Sequence, residues 1–249
     1  MPKDKSPDFV PTSGLLENMR LIKDSEESSL LSKAIEISDQ ALDTVKELIT
    51  PGMTERQVAW ELEKKMRDLG ADGPSFPTIV GAGGNGALPH HRPDDTVIQS
   101  GDPVVIDMGA IYKGYCSDLT RTIFIGEPDD FFKKIYSIVL DAQTTAEASI
   151  SKGLTAGDAD KIARDVISNS GYGENFGHSL GHGVGLEVHE SPVLGPKSED
   201  ILQEGMFFTV EPGIYISGWG GVRIEDIVTL EHGSTKILSQ ANKLDFSNG

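Results

Sequence analysis

The chain is short of cysteine, of basic residues and of long apolar runs, and each shortage excludes something. Its single cysteine, Cys116, leaves no intramolecular disulfide to build on and fits a reducing, cytoplasmic setting. Lys and Arg number 22 against 39 Asp and Glu, a net charge of −17. So acidic a chain is a poor match for nucleic acid, whose phosphates ask for clustered Lys and Arg. No stretch approaches the roughly 18 apolar residues that span a bilayer. The opening MPKDKSPDFVPTSG lacks the apolar stretch of a secretory signal. Residues 1–17 are expected to be a flexible lead-in, and 18–249 a single domain with room for a sizeable core.

What is present is a repeat. Leu30, Leu31, Ala34, Ile35, Ala41, Leu42, Val45 and Ile49 form a helical apolar stripe. It predicts a helix that begins near Ser25 and is stopped by Pro51-Gly52. TERQ at 54–57 reads as a capping box opening a second helix, closed at Gly70. The segment PGMTERQVAWELEKKMRDLG (51–70) has a relative in KGLTAGDADKIARDVISNSG (152–171). Gly52 and Gly153, Thr54 and Thr155, and Gly70 and Gly171 are each 101 positions apart. The likeness continues downstream. SGDPVVIDMGA (100–110) and EGMFFTVEPGI (204–214) each run from a turn glycine through apolar residues to one acid, Asp107 or Glu211. SDLTRTIFI (117–125) and IEDIVTL (224–230) each place an acid, Asp118 or Glu225, just ahead of a strand pattern. The expected fold class is therefore α+β, built from two duplicated units of helix plus antiparallel strands related by a pseudo-two-fold axis.

Four acids at duplicated positions beside buried strands need compensating charge. Arg121 and Arg223 are the only basic candidates nearby, whereas a pair of divalent cations would neutralise all four. Two-metal sites, with ions roughly 3.5–4 Å apart, carry out hydrolysis. An imidazole ligand could come from GHSLGHGVGLEVHE (177–190), which holds His178, His182 and His189, three of the chain's six histidines. His182 lies between glycines, where the backbone can approach closely and let the ring reach an ion.

The motifs ALPHHRP, VVIDMGAIYKGYCSDLTRT, HSLGHGVGLEVHE, TVEPGIYI and GGVRIED resemble those of the pita-bread metallopeptidases, over about residues 18–240. They are more similar to Xaa-Pro dipeptidase (prolidase) and aminopeptidase P than to methionine aminopeptidase. The resemblance implies a pita-bread fold around a binuclear site. Its ligands would be Asp107, Asp118, His182, Glu211 and Glu225, and its ions Mn, Co, Fe or Zn, with Mn favoured. It also implies that His90 and His189 hold the substrate and the tetrahedral intermediate, and that Glu211 shuttles a proton. His178, Arg223 and Tyr215 would line the substrate pocket, Arg223 by orienting Glu225 or by binding a substrate carboxylate. Short proline-containing peptides are the implied substrates and a homodimer the implied assembly. The alternatives are a methionine aminopeptidase or other small-amide hydrolase on the same fold, and a non-catalytic binding or chaperone module.

Two departures stand out. Family members of this kind usually carry a further N-terminal domain, and LLENMRLIKDSEE looks like the junction to it. Many prolidase-like members also have an arginine four residues after the last histidine of HE-x-P, where this chain has Val193; this leaves aminopeptidase P-like activity open. His91 and His232 are expected to be structural or exposed, and Cys116 a small buried residue. GAGGNG (81–86) matches a dinucleotide fingerprint, but Pro89 and Pro93 follow where a helix would have to begin. Its glycines are expected to shape a loop that presents His90.

Overall fold

A computed structural model describes residues 9–246 of the chain. Its helices are α1 (Leu15–Arg20), α2 (Ser25–Val45), α3 (Glu55–Asp68), α4 (Asp130–Ser149) and α5 (Ala156–Asn169). Its strands are β1 (Gly73–Pro74), β2 (Ile79–Ala82), β3 (Pro103–Met108), β4 (Ala110–Tyr112), β5 (Tyr115–Cys116), β6 (Leu119–Phe124), β7 (Gly181–Gly183), β8 (Glu190–Leu194), β9 (Phe207–Val210), β10 (Gly213–Ile216), β11 (Gly220–Arg223), β12 (Asp226–Glu231) and β13 (Ser234–Ile237).

Local chemistry sets the helix ends. Asp24 caps α2 by accepting from the backbone N–H of Glu26 and Glu27, while Glu27 accepts from Asp24 in return. The helix passes into a 3-10 turn at Lys46–Leu48 and leaves helical geometry at Ile49, short of the proline. Thr50 precedes Pro51, whose ring disfavours helical backbone at the residue before it. The predicted capping box of α3 is present: Thr54 accepts from the Gln57 N–H and Gln57 accepts from the Thr54 N–H. Thr155 caps α5 in the same way, accepting from the Asp158 N–H. Gly70 and Gly171 follow their helices with φ of 102° and 88°, a left-handed geometry that glycine adopts without cost. Helix α4, capped by Asp129, is the second-half counterpart of α2.

The duplication extends to the packing. Each half has its own core. One joins Ile37, Leu42, Leu62 and Met66 of α2 and α3 to Val104 and Ile106 of β3. The other joins Phe132, Tyr136, Val139 and Ile167 of α4 and α5 to Phe208 and Val210 of β9. Complete burial of each such side chain contributes about 1.5–3 kcal/mol. The antiparallel sheets are β2-β3-β6 in the first half and β13-β12-β9-β7-β8 in the second, with β10-β11 and β1-β4-β5 as smaller companions.

The halves meet along a seam of β6 against β11 and the start of β12. The Glu225 N–H donates to the Thr120 carbonyl at 3.1 Å. The Thr122 hydroxyl donates to the Arg223 carbonyl and accepts from the Arg223 N–H, both at 3.0 Å. Behind the seam Arg121 faces away from the pocket and pairs with buried Asp226 at 2.7 Å. It also holds the carbonyls of Glu225 at 2.5 Å and Ala241 at 2.8 Å. The C-terminal segment is thereby strapped across both units, and its Gln240 and Ala241 N–H groups donate to Asp39 of α2. None of the described helices is long and apolar enough to cross a membrane.

Candidate metal centre

The seam brings together all five side chains expected as metal ligands. Asp107 is next to last in β3, Asp118 and Glu225 stand immediately before β6 and β12, and Glu211 follows β9. Side chains alternate along a strand, so Asp107 can point inward from the otherwise apolar β3, while the other three acids lie one residue beyond a strand end. His182 comes from β7, inserted beside β9 in the second-half sheet. One oxygen each of Asp118 and Glu225 and one ring nitrogen of His182 lie within 4.8 Å of one another. The ring Nδ1 of His182 donates to the Gly183 carbonyl at 3.1 Å. Its Nε2 therefore faces Asp118 at 3.5 Å and Glu211 at 3.3 Å.

The electrostatics ask for positive charge at this spot. Burial pushes Asp118 up, and the nearby Glu225 and Asp107 carboxylates push it further. Burial and the charges of Glu211 and Asp107 likewise raise Glu225. Burial raises Asp107 against the opposing pull of Arg223. Burial would raise Glu211 too, but the hydrogen bond and charge of His182 hold it at about 2. Asp107 Oδ1 and Glu225 Oε1 are buried without a hydrogen-bond partner. Oxygen-rich donors with one imidazole, two orphaned carboxylate oxygens and an imidazole nitrogen turned toward two acids fit divalent cations.

A second layer fixes these groups. Thr120 donates to Glu225 at 2.7 Å, and Thr209 donates to Glu211 at 3.1 Å. No sequence motif marks either threonine, although each lies two residues from a site acid, a spacing that shares a strand face. Arg223, almost fully buried, reaches Asp107 at 2.5 Å and Tyr215 at 2.7 Å, and donates through Nε to Thr120 at 3.0 Å. It thus grips Asp107 directly and Glu225 only by way of Thr120. Tyr215 in turn meets His178 Nε2 at 3.0 Å, and the other His178 nitrogen donates to the Ser179 carbonyl at 2.8 Å. Arg223, Tyr215 and His178 form one directed chain of donors along the pocket wall.

The pocket over these groups has a volume of about 860 Å³, and His90 and His189 line it. The His189 ring packs edge-on against His182, centroids 4.3 Å apart. Burial and the neighbouring His182 hold His189 below the ordinary histidine range. Glu17 and Arg20 of α1 also reach the pocket, which the sequence did not signal. Arg20 is ion-paired with Glu190, and Lys23 joins the same carboxylate at 3.3 Å, tying this helix to the strand after His189. The part of the expected lead-in at residues 1–8 lies outside the described residues. His91 is structural, bonded to Glu55 at 2.6 Å. Gly83–Ala87 is a short 3-10 turn, with no α-helix to receive a dinucleotide.

Two like units that meet in a pocket floored by four acids and a histidine define a metal-dependent hydrolase. Comparison with known proteins narrows that class. Residues 29–232 match the model of metallopeptidase family M24, and the chain belongs to that family. It is 47% identical over 236 residues to a Xaa-Pro dipeptidase of Pyrococcus horikoshii, which covers 95% of this chain and 67% of that protein. The Xaa-Pro dipeptidase structure from Bacillus anthracis superposes with a TM-score of 0.94 at 49% identity, over 95% of this chain and 67% of that one. The X-Pro aminopeptidase structure from Thermotoga maritima gives 0.93 at 45% identity, with the same coverage. The fold is the pita-bread fold of these metallopeptidases, and the chain spans about two thirds of the length of each of these relatives.

Proposed function

We propose that the chain hydrolyses the peptide bond preceding proline in short peptides. The observation that carries this reading is the clustering of Asp107, Asp118, His182, Glu211 and Glu225 at the floor of a pocket whose wall carries His90 and His189, in a chain about half identical to Xaa-Pro peptidases. The five residues are assigned as ligands of two divalent ions, with Mn favoured over Co, Fe and Zn. Ions held there supply a lowered pKa to water and a counter-charge to the carbonyl oxygen as it becomes negative. Glu211 accepts the proton of the attacking water and delivers it to the leaving nitrogen. That delivery is needed because an amine cannot leave as an anion; the nitrogen of an X-Pro bond, which carries no N–H, takes up the proton and leaves as a secondary amine. His90 and His189 donate hydrogen bonds to the substrate and to the developing oxyanion. Arg223 keeps Asp107 in place, and Tyr215 and His178 shape the wall beside it. Residues 18–249 act as one catalytic domain, a homodimer in solution.

Hydrolysis of Ala-Pro and Ala-Pro-Ala by chelator-stripped protein, with and without added Mn²⁺, Co²⁺ or Zn²⁺, tests the reading. Cleavage restored by metal is the expected result. Protein that binds two ions and cleaves neither peptide would overturn the substrate assignment.

Val193 separates the two activities. It lines the pocket and is half-exposed, at a position where many prolidase-like sequences have an arginine. Val193 itself offers no charge to the carboxylate of a dipeptide, which favours tolerance of the longer Ala-Pro-Ala. Val193→Arg is expected to shift the kcat/KM ratio toward Ala-Pro by about tenfold, in line with one charge-assisted contact. An unchanged ratio would remove Val193 from substrate-length selection.

A further inference from the structure

Glu55 is the first residue of α3, and it is completely buried. The duplication supplies an internal control for it. The position 101 residues on, first in α5 and also completely buried, is Ala156. The fold therefore accepts a methyl group at this place in one half and holds a carboxylate in the other. A buried carboxylate is costly and adds little stability beyond what an apolar residue would give, so its partners are informative.

All of the partners lie on one segment, from the last residue of β2 through the loop that follows it. Glu55 Oε1 accepts from the Ala82 N–H at 2.8 Å and from the Asn85 amide at 3.0 Å. Oε2 accepts from His91 Nε2 at 2.6 Å and from the Asp94 N–H at 3.3 Å. Asn85 also donates to the Thr96 hydroxyl at 3.2 Å. The backbone closes the arrangement: the Glu55 and Arg56 N–H groups donate to the Thr96 and Asp94 carbonyls. Glu55, His91 and Asp94 are close enough to suggest an ion of their own. Their polar atoms instead bond to one another and to the loop, with Asp94 accepting from the Thr96 N–H at 2.7 Å. The segment held this way, 82–96, carries His90, the residue beside His91, with its side chain in the pocket.

We infer that Glu55 and His91 are positioning residues that fix the loop so that His90 presents its ring to the substrate. The inference rests on the role proposed for His90 above. The glycines of GAGGNG let this loop turn tightly over β2, and Gly86 packs directly against β11; the Glu55–His91 pair supplies the rigidity that the glycines do not. Misplacement of a reacting group by about 1 Å can cost on the order of a hundredfold in rate.

A double-mutant cycle on metal-loaded protein, read as kcat/KM on Ala-Pro, tests it with His90→Ala, His91→Ala and the pair. His91→Ala is expected to lose about 10- to 100-fold with metal content unchanged. The pair is expected to lose no more than His90→Ala alone, because a displaced His90 and an absent one are equivalent. Losses that multiply, or a His91→Ala enzyme as active as the parent, would overturn the inference. A fully active His90→Ala enzyme would instead remove the role of His90, and the inference with it, while metal-dependent turnover of Ala-Pro would leave the peptidase reading standing. If His91→Ala fails to fold, Asn85→Ala, which removes one Glu55 contact from the same loop, takes its place in the cycle with the same criteria.

Discussion

Glu211→Ala protein is expected to cleave Ala-Pro on the order of a thousandfold more slowly than the parent and to retain less metal. The size of the effect follows from how many tasks converge on this carboxylate. It lies 3.3 Å from His182 Nε2 and is held at 3.1 Å by Thr209, and it is the group assigned to move the proton. Removal leaves Asp107, Asp118 and Glu225 to balance the ions alone and leaves no carboxylate to carry the proton to the prolyl nitrogen. Glu211→Gln separates the tasks, since it keeps the shape and loses the charge and the basicity; it too is expected to be nearly inactive. Metal per chain, measured alongside kcat, distinguishes a lost ligand from a lost proton carrier. A Glu211→Ala enzyme with parental turnover would take Glu211 out of the site. The fold itself should tolerate the change, because Glu211 lies in the pocket lining rather than in the two cores.

Asp107 and Glu211 are legible in the sequence because each lies at the end of a largely apolar strand, and Asp118 and Glu225 because they hold matching places just ahead of a strand in the two repeats. The duplication is legible for a similar reason: two capping threonines and two closing glycines mark helices of equal length at a constant spacing. Helix α4 is harder to see, since the pairing of 51–70 with 152–171 draws attention to the second helix of each unit and not to the first. The contacts that cross the seam leave no local mark at all. Arg223 and Asp107 are far apart in the chain and become partners only when β11 packs beside β3. The Arg20–Glu190 pair depends in the same way on where α1 comes to rest; the stretch reads as a junction in the sequence, and its Leu15, Leu16 and Met19 stay exposed in the structure. Thr120 and Thr209 were within reach of a strand-parity argument, which selects residues two away from an inward-facing acid.

Gly183→Ala is expected to lower both stability and metal affinity without touching a charged group. In the sequence the glycines around His182 read as positions where the backbone can approach closely and let the ring reach an ion. The structure shows what the backbone approaches. A methyl group on Gly183 would sit far inside contact distance of the Ser191 carbonyl, and one on Gly181 would strike the Thr209 carbonyl. Both obstacles are backbone, which cannot swing aside as a side chain can. Gly183 also lies where β7 shifts register against β8 and pairs with Phe208 of β9, so the strand has no slack. Overpacking of this kind costs about 1–3 kcal/mol, which for a domain of this size lowers Tm by roughly 2–12 °C. His182, the adjacent residue, is expected to move with the strand, so metal affinity should fall as well. Gly84→Ala serves as the comparison: nothing lies within 4 Å of the added methyl, and its Tm should remain close to the parent's. If thermal unfolding finds Gly183→Ala as stable as Gly84→Ala, the close approach of β7 to its neighbours is not what requires glycine there.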